Sequence, residues 1–376
     1  MIFLDNASTT RVFDLAVERM NKIYLEDFYN PSATYKGGRD ALSYLTQARE
    51  KVAKHLYAKK EEIYFTSCAT ESNNWVLNNA FKNKKGNIVV SSGEHACVYE
   101  TAKNLASKGL DVRFAPLNSD GTVNIDALLS LVDSSTNFVS VIHASNETGV
   151  INDLAQISKK VKAKNPKTLI HSDGVQAFMK TPSPLAKLGV DFYSISGHKI
   201  GAPKGVGVLY IKNGLHIAPY IYGGGQEKNM RSGTENVAGI SALDVAIDCY
   251  KNSYNDETVK NNYNLAISNL AEIDGVEIIG NTDKNTKLII CLTVDGVRAE
   301  TLQSLMADNG VYIGRGSACS SAHSGNRVLS AMGVPDKKIE GAIRISLSPT
   351  TKSDEIITAI NILKENINKI RGYHVG

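Results

Sequence analysis

The chain has 376 residues, of which 42% are hydrophobic and 21% charged, a composition typical of globular proteins and not of disordered or membrane-embedded chains. The formal net charge is +4, and because Lys and Arg are scattered along the sequence, direct binding to nucleic acid is not expected. The length exceeds what one hydrophobic core usually serves, which favours a large and a smaller domain.

The N-terminal residues Met1 to Thr10 lack the basic start and the long apolar stretch of a signal peptide. No apolar run along the chain approaches the roughly 18 residues of a membrane span. The five cysteines are odd in number and widely spaced, which indicates reduced thiols. We therefore expect a cytoplasmic protein without a membrane partner.

From residue 61 to residue 211, short β-branched runs alternate with helical patterns, which predicts an α/β domain built of βαβ units around a mostly parallel sheet. The predicted strands are 63–66, 88–91, 112–115, 138–143, 168–172, 192–196 and 207–211. Helices are predicted at 71–82, with Thr70 as its N-cap, and at 95–107.

After residue 252 the pattern changes to a long polar helix, a strand at 288–294, a helix at 299–309 and a last helix at 353–370. We interpret residues 253–376, joined in space by residues 1–15, as a small α+β domain. Residues 16–252 form the predicted large α/β domain.

Lys199 follows the apolar strand predicted at 192–196. Burial there would lower the pKa of its amine, which prepares an amine to attack an aldehyde and form a Schiff base. Asp173 ends the preceding predicted strand, and an acid at this edge can pair with the ring nitrogen of a pyridoxal cofactor. A solvated loop lysine and a helix-capping aspartate are the alternatives.

The segment at 66–71 lies between a strand and a helix, where backbone N–H groups and hydroxyls can hold a phosphate. Ser196 and His198 would add to such a site. His95 opens a predicted helix, so its imidazole can lie over a flat ring and exchange protons, or it is an ordinary surface or core histidine.

Cys319 lies in a run of small polar residues, 314–325, which predicts a mobile loop. A thiol on such a loop is a good nucleophile, although a structural role stays open. Arg344 alternates with apolar neighbours on a predicted strand and so faces inward. It requires an anion, either a substrate carboxylate or an internal salt-bridge partner.

The segments that carry chemistry also follow one another in an ordered set of motifs along nearly the whole chain. They include Asn-Glu-Thr-Gly at 146–149, Ser-Gly-His-Lys at 196–199, Met-Arg-Ser-Gly-Thr at 230–234 and Gly-Ser-Ala-Cys at 316–319. In this set the chain resembles the cysteine desulfurases of the NifS and IscS type, which are pyridoxal-phosphate enzymes of the class V aminotransferase superfamily. One departure is Cys68, which stands where that family usually has glycine.

The resemblance implies the fold of the pyridoxal-phosphate-dependent transferases, with a large domain and a smaller α+β domain. It also implies roles for individual residues. Lys199 would carry pyridoxal phosphate, Asp173 would pair with the pyridine nitrogen, Gln176 would bond the phenolic oxygen and His95 would stack on the ring. The phosphate would be held by Ala69, Thr70, Ser196 and His198, with Thr234 reaching it from the neighbouring subunit of a homodimer. Asn146 and Arg344 would orient L-cysteine, Asn146 also contacting the cofactor.

The implied reaction removes sulfur from L-cysteine, leaving L-alanine and a persulfide on Cys319. The acceptor would be an iron–sulfur scaffold protein or a tRNA-thiolating enzyme. No metal is expected in the catalytic step, although Cys319 can contact a transferred iron–sulfur cluster. An aminotransferase or selenocysteine lyase with the same cofactor is one alternative, and a catalytically degenerate binding module is another. The second would be marked by loss of Lys199, Asp173 or Cys319, and all three are present.

Overall fold

The computed structural model describes residues 1–79, 86–316 and 326–373. The strands in these ranges are β1 (Ile2–Leu4), β2 (Ile63–Thr66), β3 (Asn87–Ser91), β4 (Asp111–Ala115), β5 (Thr136–Ser140), β6 (Leu169–Asp173), β7 (Phe192–Ser196), β8 (Gly207–Ile211), β9 (Val276–Ile279), β10 (Ile289–Val294), β11 (Val311–Arg315) and β12 (Ala342–Ser346). The helices are α1 (Asp14–Leu25), α2 (Lys36–Leu56), α3 (Ala69–Asn79), α4 (Ala96–Ser107), α5 (Ile125–Leu131), α6 (Leu154–Lys164), α7 (Leu185–Leu188), α8 (Val237–Ser253), α9 (Asp256–Ala271), α10 (Ala299–Asp308), α11 (Arg327–Ala331), α12 (Asp336–Ile339) and α13 (Ser353–Tyr373).

The larger sheet has seven strands in the order β2-β8-β7-β6-β5-β3-β4. β8 runs antiparallel to both of its neighbours, and the other pairs are parallel. β3, β7 and β8 are buried along their whole length, as expected for strands covered by helices on both faces. The predicted α/β class and mostly parallel sheet are confirmed.

Helices pack on this sheet through apolar faces. α3 packs against α4 and against β7 and β8, and its fully buried Trp75 joins the cluster that includes Phe138 and Phe192. α1 and α2 both pack on α8. In the described parts of the chain, no helix combines the length and the apolar character that crossing a bilayer requires.

The second sheet has five strands in the order β1-β11-β12-β10-β9, with β1 parallel to β11 and the other pairs antiparallel. Its core includes Leu292, Leu302 and Leu363, each fully buried between the sheet and helices α10 and α13. The N-terminal strand therefore lies in the sheet formed by the C-terminal part of the chain. The proposed boundary after residue 252 falls in the last turn of α8.

Several element ends differ from the prediction, most of them by one residue. The N-cap assigned to Thr70 is wrong, because α3 begins at Ala69 and the N–H of Ser72 already donates to the carbonyl oxygen of Cys68. Residues 80–82 of that predicted helix lie outside the described residues. β5 begins and ends earlier than the predicted 138–143, because the apolar pattern of Val141 and Ile142 continues past the paired residues. The last helix extends beyond residue 370.

Candidate active site

A cavity of about 330 Å³ opens at the carboxyl ends of β6 and β7 and reaches the second sheet at β12, a size suited to a small-molecule ligand. All predicted site residues line it except Thr234 and Cys319. These lining residues are Ala69, Thr70, His95, Asn146, Asp173, Gln176, Ser196, His198, Lys199 and Arg344. Thr234 is exposed and does not line the cavity, and Cys319 lies outside the described residues.

Lys199 ends a single 3₁₀ turn, Gly197–Lys199, that directly follows β7. Its Nζ donates to the carbonyl oxygens of Ala7 at 2.8 Å and Ser8 at 2.5 Å, so the N-terminal segment closes over the amine. Burial, followed by the positive charge of Arg344, lowers the pKa of Lys199 to about 8. A substantial fraction of this amine is therefore neutral near physiological pH, as a nucleophilic lysine requires.

Asp173 ends β6, and its side chain is only 2% exposed. One carboxylate oxygen accepts a hydrogen bond from the backbone N–H of Val175 at 3.0 Å. The other accepts a hydrogen bond from Nδ2 of Asn73 at 2.8 Å. None of the Lys or Arg side chains in the described ranges forms an ion pair with it. A buried carboxylate normally needs a cationic partner. The protonated ring nitrogen of pyridoxal phosphate would meet that need, so this carboxylate fits the cofactor.

His95 is the N-cap of α4, and its Nδ1 accepts the N–H of Cys97 at 3.2 Å. One side of the imidazole ring is exposed to the open cavity, and protein surrounds its other sides. The resulting loss of solvation lowers the pKa of His95, an effect that the negative charge of Asp173 partly opposes. At neutral pH the imidazole is therefore uncharged and can lie against a flat ring.

The end of the cavity predicted to hold a phosphate is formed by the first turn of α3 and the end of β7. Ala69 and Thr70 lie in that first turn, where backbone N–H groups have no partner within the helix. His198 contacts Thr9, with Nδ1 and Oγ1 3.1 Å apart, and burial lowers the pKa of His198 to about 4. His198 is thus a neutral hydrogen-bonding group, and together with Ser196 it suits a phosphate.

The opposite end of the cavity presents Arg344, from the buried strand β12. Its Nη1 donates to the carbonyl oxygen of Asn146 at 2.8 Å, and its Nη2 donates to Oδ1 of Asp5 at 3.0 Å. Nε of Arg344 and Oδ1 of Asn146 are buried without a hydrogen-bond partner in the described structure. Both interpretations of Arg344 therefore have support, since it forms an internal ion pair with Asp5 and also lines the cavity in which a ligand carboxylate would bind.

Gln176 is 2% exposed and donates from Nε2 to the carbonyl oxygen of Ala7 at 2.9 Å. Its Oε1 accepts Nζ of Lys180 at 2.7 Å. Burial lowers the pKa of Lys180 to about 7, with the charge of Lys199 as the second cause. Because a primary amide has two N–H groups, one remains for the phenolic oxygen of a cofactor.

Sequence reasoning did not identify Cys97, Glu147 and Arg315 as lining residues, or Asn73 behind the cavity wall. Asn73 lies one helical turn after Thr70, so helical spacing alone could have indicated it. Cys97 gave no such signal, because its small apolar surroundings on α4 are typical of a core position.

Cys97, His95 and Asp173 bring three ligand atoms of types that bind metals within 4.8 Å of one another. Burial, followed by the charge of Asp173, raises the pKa of the Cys97 thiol to about 12, which disfavours the thiolate that a metal requires. The same three side chains face the space where the cofactor ring would lie. The arrangement therefore suits the organic cofactor better than a metal ion.

Comparison with known proteins agrees with this geometry. The family model for aminotransferase class-V matches residues 2–358. A protein from Methanosarcina thermophila named cysteine desulfurase IscS is 35% identical over 98% of this chain and 93% of its own length. A solved structure titled NifS-like protein has a TM-score of 0.90 and 37% identity, over 97% of this chain and 98% of its own.

A third relative is a structure titled SspA in complex with cysteine, with a TM-score of 0.84 and 28% identity over 94% of this chain and all of its own. Together with the fold and the cavity described above, these matches establish where the protein belongs. The chain is a member of the class-V aminotransferase family, related over nearly its whole length to proteins named cysteine desulfurase.

Proposed function

We propose that this protein is a pyridoxal-phosphate-dependent cysteine desulfurase that converts L-cysteine into L-alanine and leaves the sulfur on Cys319. One observation carries the proposal. One cavity combines an amine of lowered pKa on Lys199, a buried carboxylate on Asp173 that pairs with no Lys or Arg of the described residues, and the cationic side chain of Arg344. The names of the relatives support this activity over others of the family.

Pyridoxal phosphate, when bound, supplies an aldehyde for amines and a protonated ring that withdraws electron density from the α-carbon of an amino acid. Lys199 would hold its aldehyde end, Asp173 its ring nitrogen, and His95 the face of the ring. Ala69, Thr70, Ser196 and His198 would hold the phosphate, and Gln176 the phenolic oxygen.

The chain's own residues divide the remaining work. Arg344 binds the carboxylate of L-cysteine, with Asn146 beside it, which fixes the substrate in the cavity. Lys199, as a neutral amine, would take the proton from the substrate α-carbon. The Cys319 thiolate then attacks the substrate sulfur, so that a carbon–sulfur bond breaks and a sulfur–sulfur bond forms. The β-carbon, from which the sulfur has left, gains a proton, and the α-carbon regains the proton that it lost. In sum, cysteine and a thiol give alanine and a persulfide.

We also propose a homodimer in which Thr234 completes the phosphate site of the partner subunit. Thr234 is exposed and outside its own cavity. An exposed aromatic cluster supports a subunit interface, with Phe28 at 67%, Tyr29 at 37% and Tyr35 at 57% exposure, and with Phe28 and Tyr29 stacked at 4.9 Å. Mixing Lys199→Ala and Thr234→Ala chains tests this arrangement, because in each mixed dimer one site would lack both residues and the other neither.

The sulfur acceptor is proposed to be an iron–sulfur scaffold protein or a tRNA-thiolating enzyme, reached through the Cys319 persulfide. We propose a cytoplasmic location, supported by the free thiols of the four described cysteines, Cys68, Cys97, Cys249 and Cys291. Incubation with sulfur-labelled L-cysteine followed by candidate acceptors would identify the acceptor by the protein or RNA that becomes labelled.

The reaction itself is tested by incubating the cofactor-loaded protein with L-cysteine and a reductant. We expect alanine and sulfide in equal amounts. Formation of a keto acid in place of alanine would indicate an aminotransferase. Turnover of selenocysteine without turnover of cysteine would indicate a lyase.

A further inference from the structure

Behind Asp173 lies a row of polar side chains that do not line the cavity. Asn73, His171, Ser140 and Glu94 are each 0% exposed, and they connect Asp173 to the interior of the larger sheet. The contacts run from Asp173 Oδ2 to Asn73 Nδ2 at 2.8 Å, from Asn73 Oδ1 to His171 Nε2 at 3.1 Å, and from His171 Nδ1 to Ser140 Oγ at 2.9 Å. Ser140 Oγ lies 3.3 Å from Glu94 Oε1. Hydrogen bonds normally satisfy buried polar groups, so Asn73, His171 and Ser140 form a built network, whereas Oε2 of Glu94 has no hydrogen-bond partner among the described residues.

The direction of the first contact follows from chemistry. An ionised carboxylate only accepts hydrogen bonds, so the amide group facing Asp173 must be the NH₂ of Asn73. The same Nδ2 also lies 3.1 Å from Cys97 Sγ, a second acceptor on that side. With its NH₂ group committed to Asp173 and Cys97, Asn73 presents its oxygen to His171.

His171 must therefore donate from Nε2. Burial lowers the pKa of His171 to about 3, so the ring is neutral and carries one proton. With that proton on Nε2, Nδ1 is an acceptor, and the hydroxyl of Ser140 donates to it. Ser194 Oγ, 3.4 Å from Nε2, is a longer and weaker second contact. Stacking with Phe138, at 5.9 Å between ring centroids, fixes the plane of the imidazole.

The last contact does not extend this order to Glu94. The hydroxyl of Ser140 can also donate to Oε1 of Glu94, but that distance of 3.3 Å is longer than the 2.9 Å to Nδ1 of His171. Burial, reinforced by the negative charge of Asp173, raises the pKa of Glu94 well above its usual value, which is consistent with a neutral acid. This contact, at 3.3 Å, is the weakest of the four.

We propose that Ser140, His171 and Asn73 form a one-directional hydrogen-bond relay in which every donor points toward Asp173, and that Asn73 is its positioning residue. The relay orients the carboxylate of Asp173 through a hydrogen bond and consists of neutral groups. The charge beside the ring nitrogen is therefore the single negative charge of Asp173. Its functional part rests on the proposed cofactor, whereas the proton positions do not.

Nitrogen-15 NMR of histidine-labelled protein tests the proton positions directly. His171→Gln assigns the signals. We expect His171 to be neutral, with its proton on Nε2, from about pH 5 to pH 9, in the protein with and without cofactor. In Ser140→Ala, Nδ1 loses its donor, and we expect the proton to stay on Nε2, where the oxygen of Asn73 accepts it, while the Nδ1 resonance shifts. A proton fixed on Nδ1, or a cationic ring, in the unaltered protein overturns the relay even if the chain binds no pyridoxal phosphate.

The positioning role is tested by Asn73→Ala against Asn78→Ala, a change on the same helix at an exposed residue. We expect Asn73→Ala to lower kcat at least tenfold with little change in KM for cysteine, and to shift the visible absorbance of the bound cofactor. Asn78→Ala should change none of these. Asn73→Ala that retains kcat and the absorbance overturns the positioning role. If Asn73→Ala fails to fold, the same readouts in Ser140→Ala decide, with a smaller fall in kcat expected.

Discussion

Replacing Arg344 by glutamine tests the substrate end of the cavity. The change removes a buried guanidinium, including the unpartnered Nε, while keeping most of the side-chain volume. We expect Arg344→Gln to lose the charge-assisted hydrogen bonds to the carboxylate of L-cysteine.

The magnitude follows from those bonds. Hydrogen bonds to charged groups contribute about 1.5–3 kcal/mol, which corresponds to a fall of roughly 10- to 150-fold in kcat/KM. Of the contacts that the change removes, only the one with the carboxylate involves the substrate, so the loss should lie mainly in KM. Initial rates of alanine formation over a range of cysteine concentrations give kcat and KM.

A second consequence follows from electrostatics. The charge of Arg344 is the second cause of the lowered pKa of Lys199. Its removal makes the protonated amine less unfavourable, so the pKa of Lys199 should rise. Arg113→Gln, which alters an arginine paired with Asp111 and Asp133 away from the cavity, is the matched control. Asp5→Asn removes the partner of the internal ion pair. If Arg344→Gln leaves KM unchanged and lowers the melting temperature as much as Asp5→Asn does, Arg344 serves only that ion pair.

Three further results are expected. The rate at which cofactor-free protein captures pyridoxal phosphate should rise with pH and level off near pH 8, because the amine of Lys199 loses its proton about there; a rise that continues toward pH 10 would contradict the lowered pKa. Cys319→Ala should keep the yellow colour of the bound cofactor but release no sulfide from cysteine, and continued release would favour the lyase alternative. Glu227→Ala should lower the free energy of unfolding by about 3–5 kcal/mol, since it leaves the largely buried side chain of Arg49, 14% exposed, without its carboxylate partner 2.6 Å away. Urea denaturation measures this, and a loss below about 1 kcal/mol would speak against it.

Much of the larger sheet could be predicted from sequence because its strands are short β-branched runs between helical patterns. β2, β7 and β8 match the predicted bounds at both ends. The start of α3 was missed because helical bonding begins from the carbonyl of Cys68, and the side chain of Glu71 reaches back to the N–H of Ser67 at 2.8 Å. These are local backbone contacts that a search for a polar capping residue does not detect.

The cavity could be predicted in outline because Asp173 ends β6 and Lys199 closely follows the neighbouring strand β7, and the carboxyl ends of these strands meet at one edge. The relay could not be predicted in the same way. Asn73 and His171 are 98 residues apart in the chain, and their contact arises only when α3 packs across β6. Similarly, the two acceptors of the Lys199 amine come from the N-terminal segment, and no periodicity links them to that lysine.

The central claim is that the amine of Lys199 holds pyridoxal phosphate. The cofactor-loaded protein, reduced with borohydride and digested, shows by mass spectrometry which residue carries the phosphopyridoxyl group. We predict that the modification lies on Lys199 and that Lys180, a buried lysine that donates to the cavity residue Gln176, stays unmodified. An unmodified Lys199, or a label found on Lys180, would contradict the account.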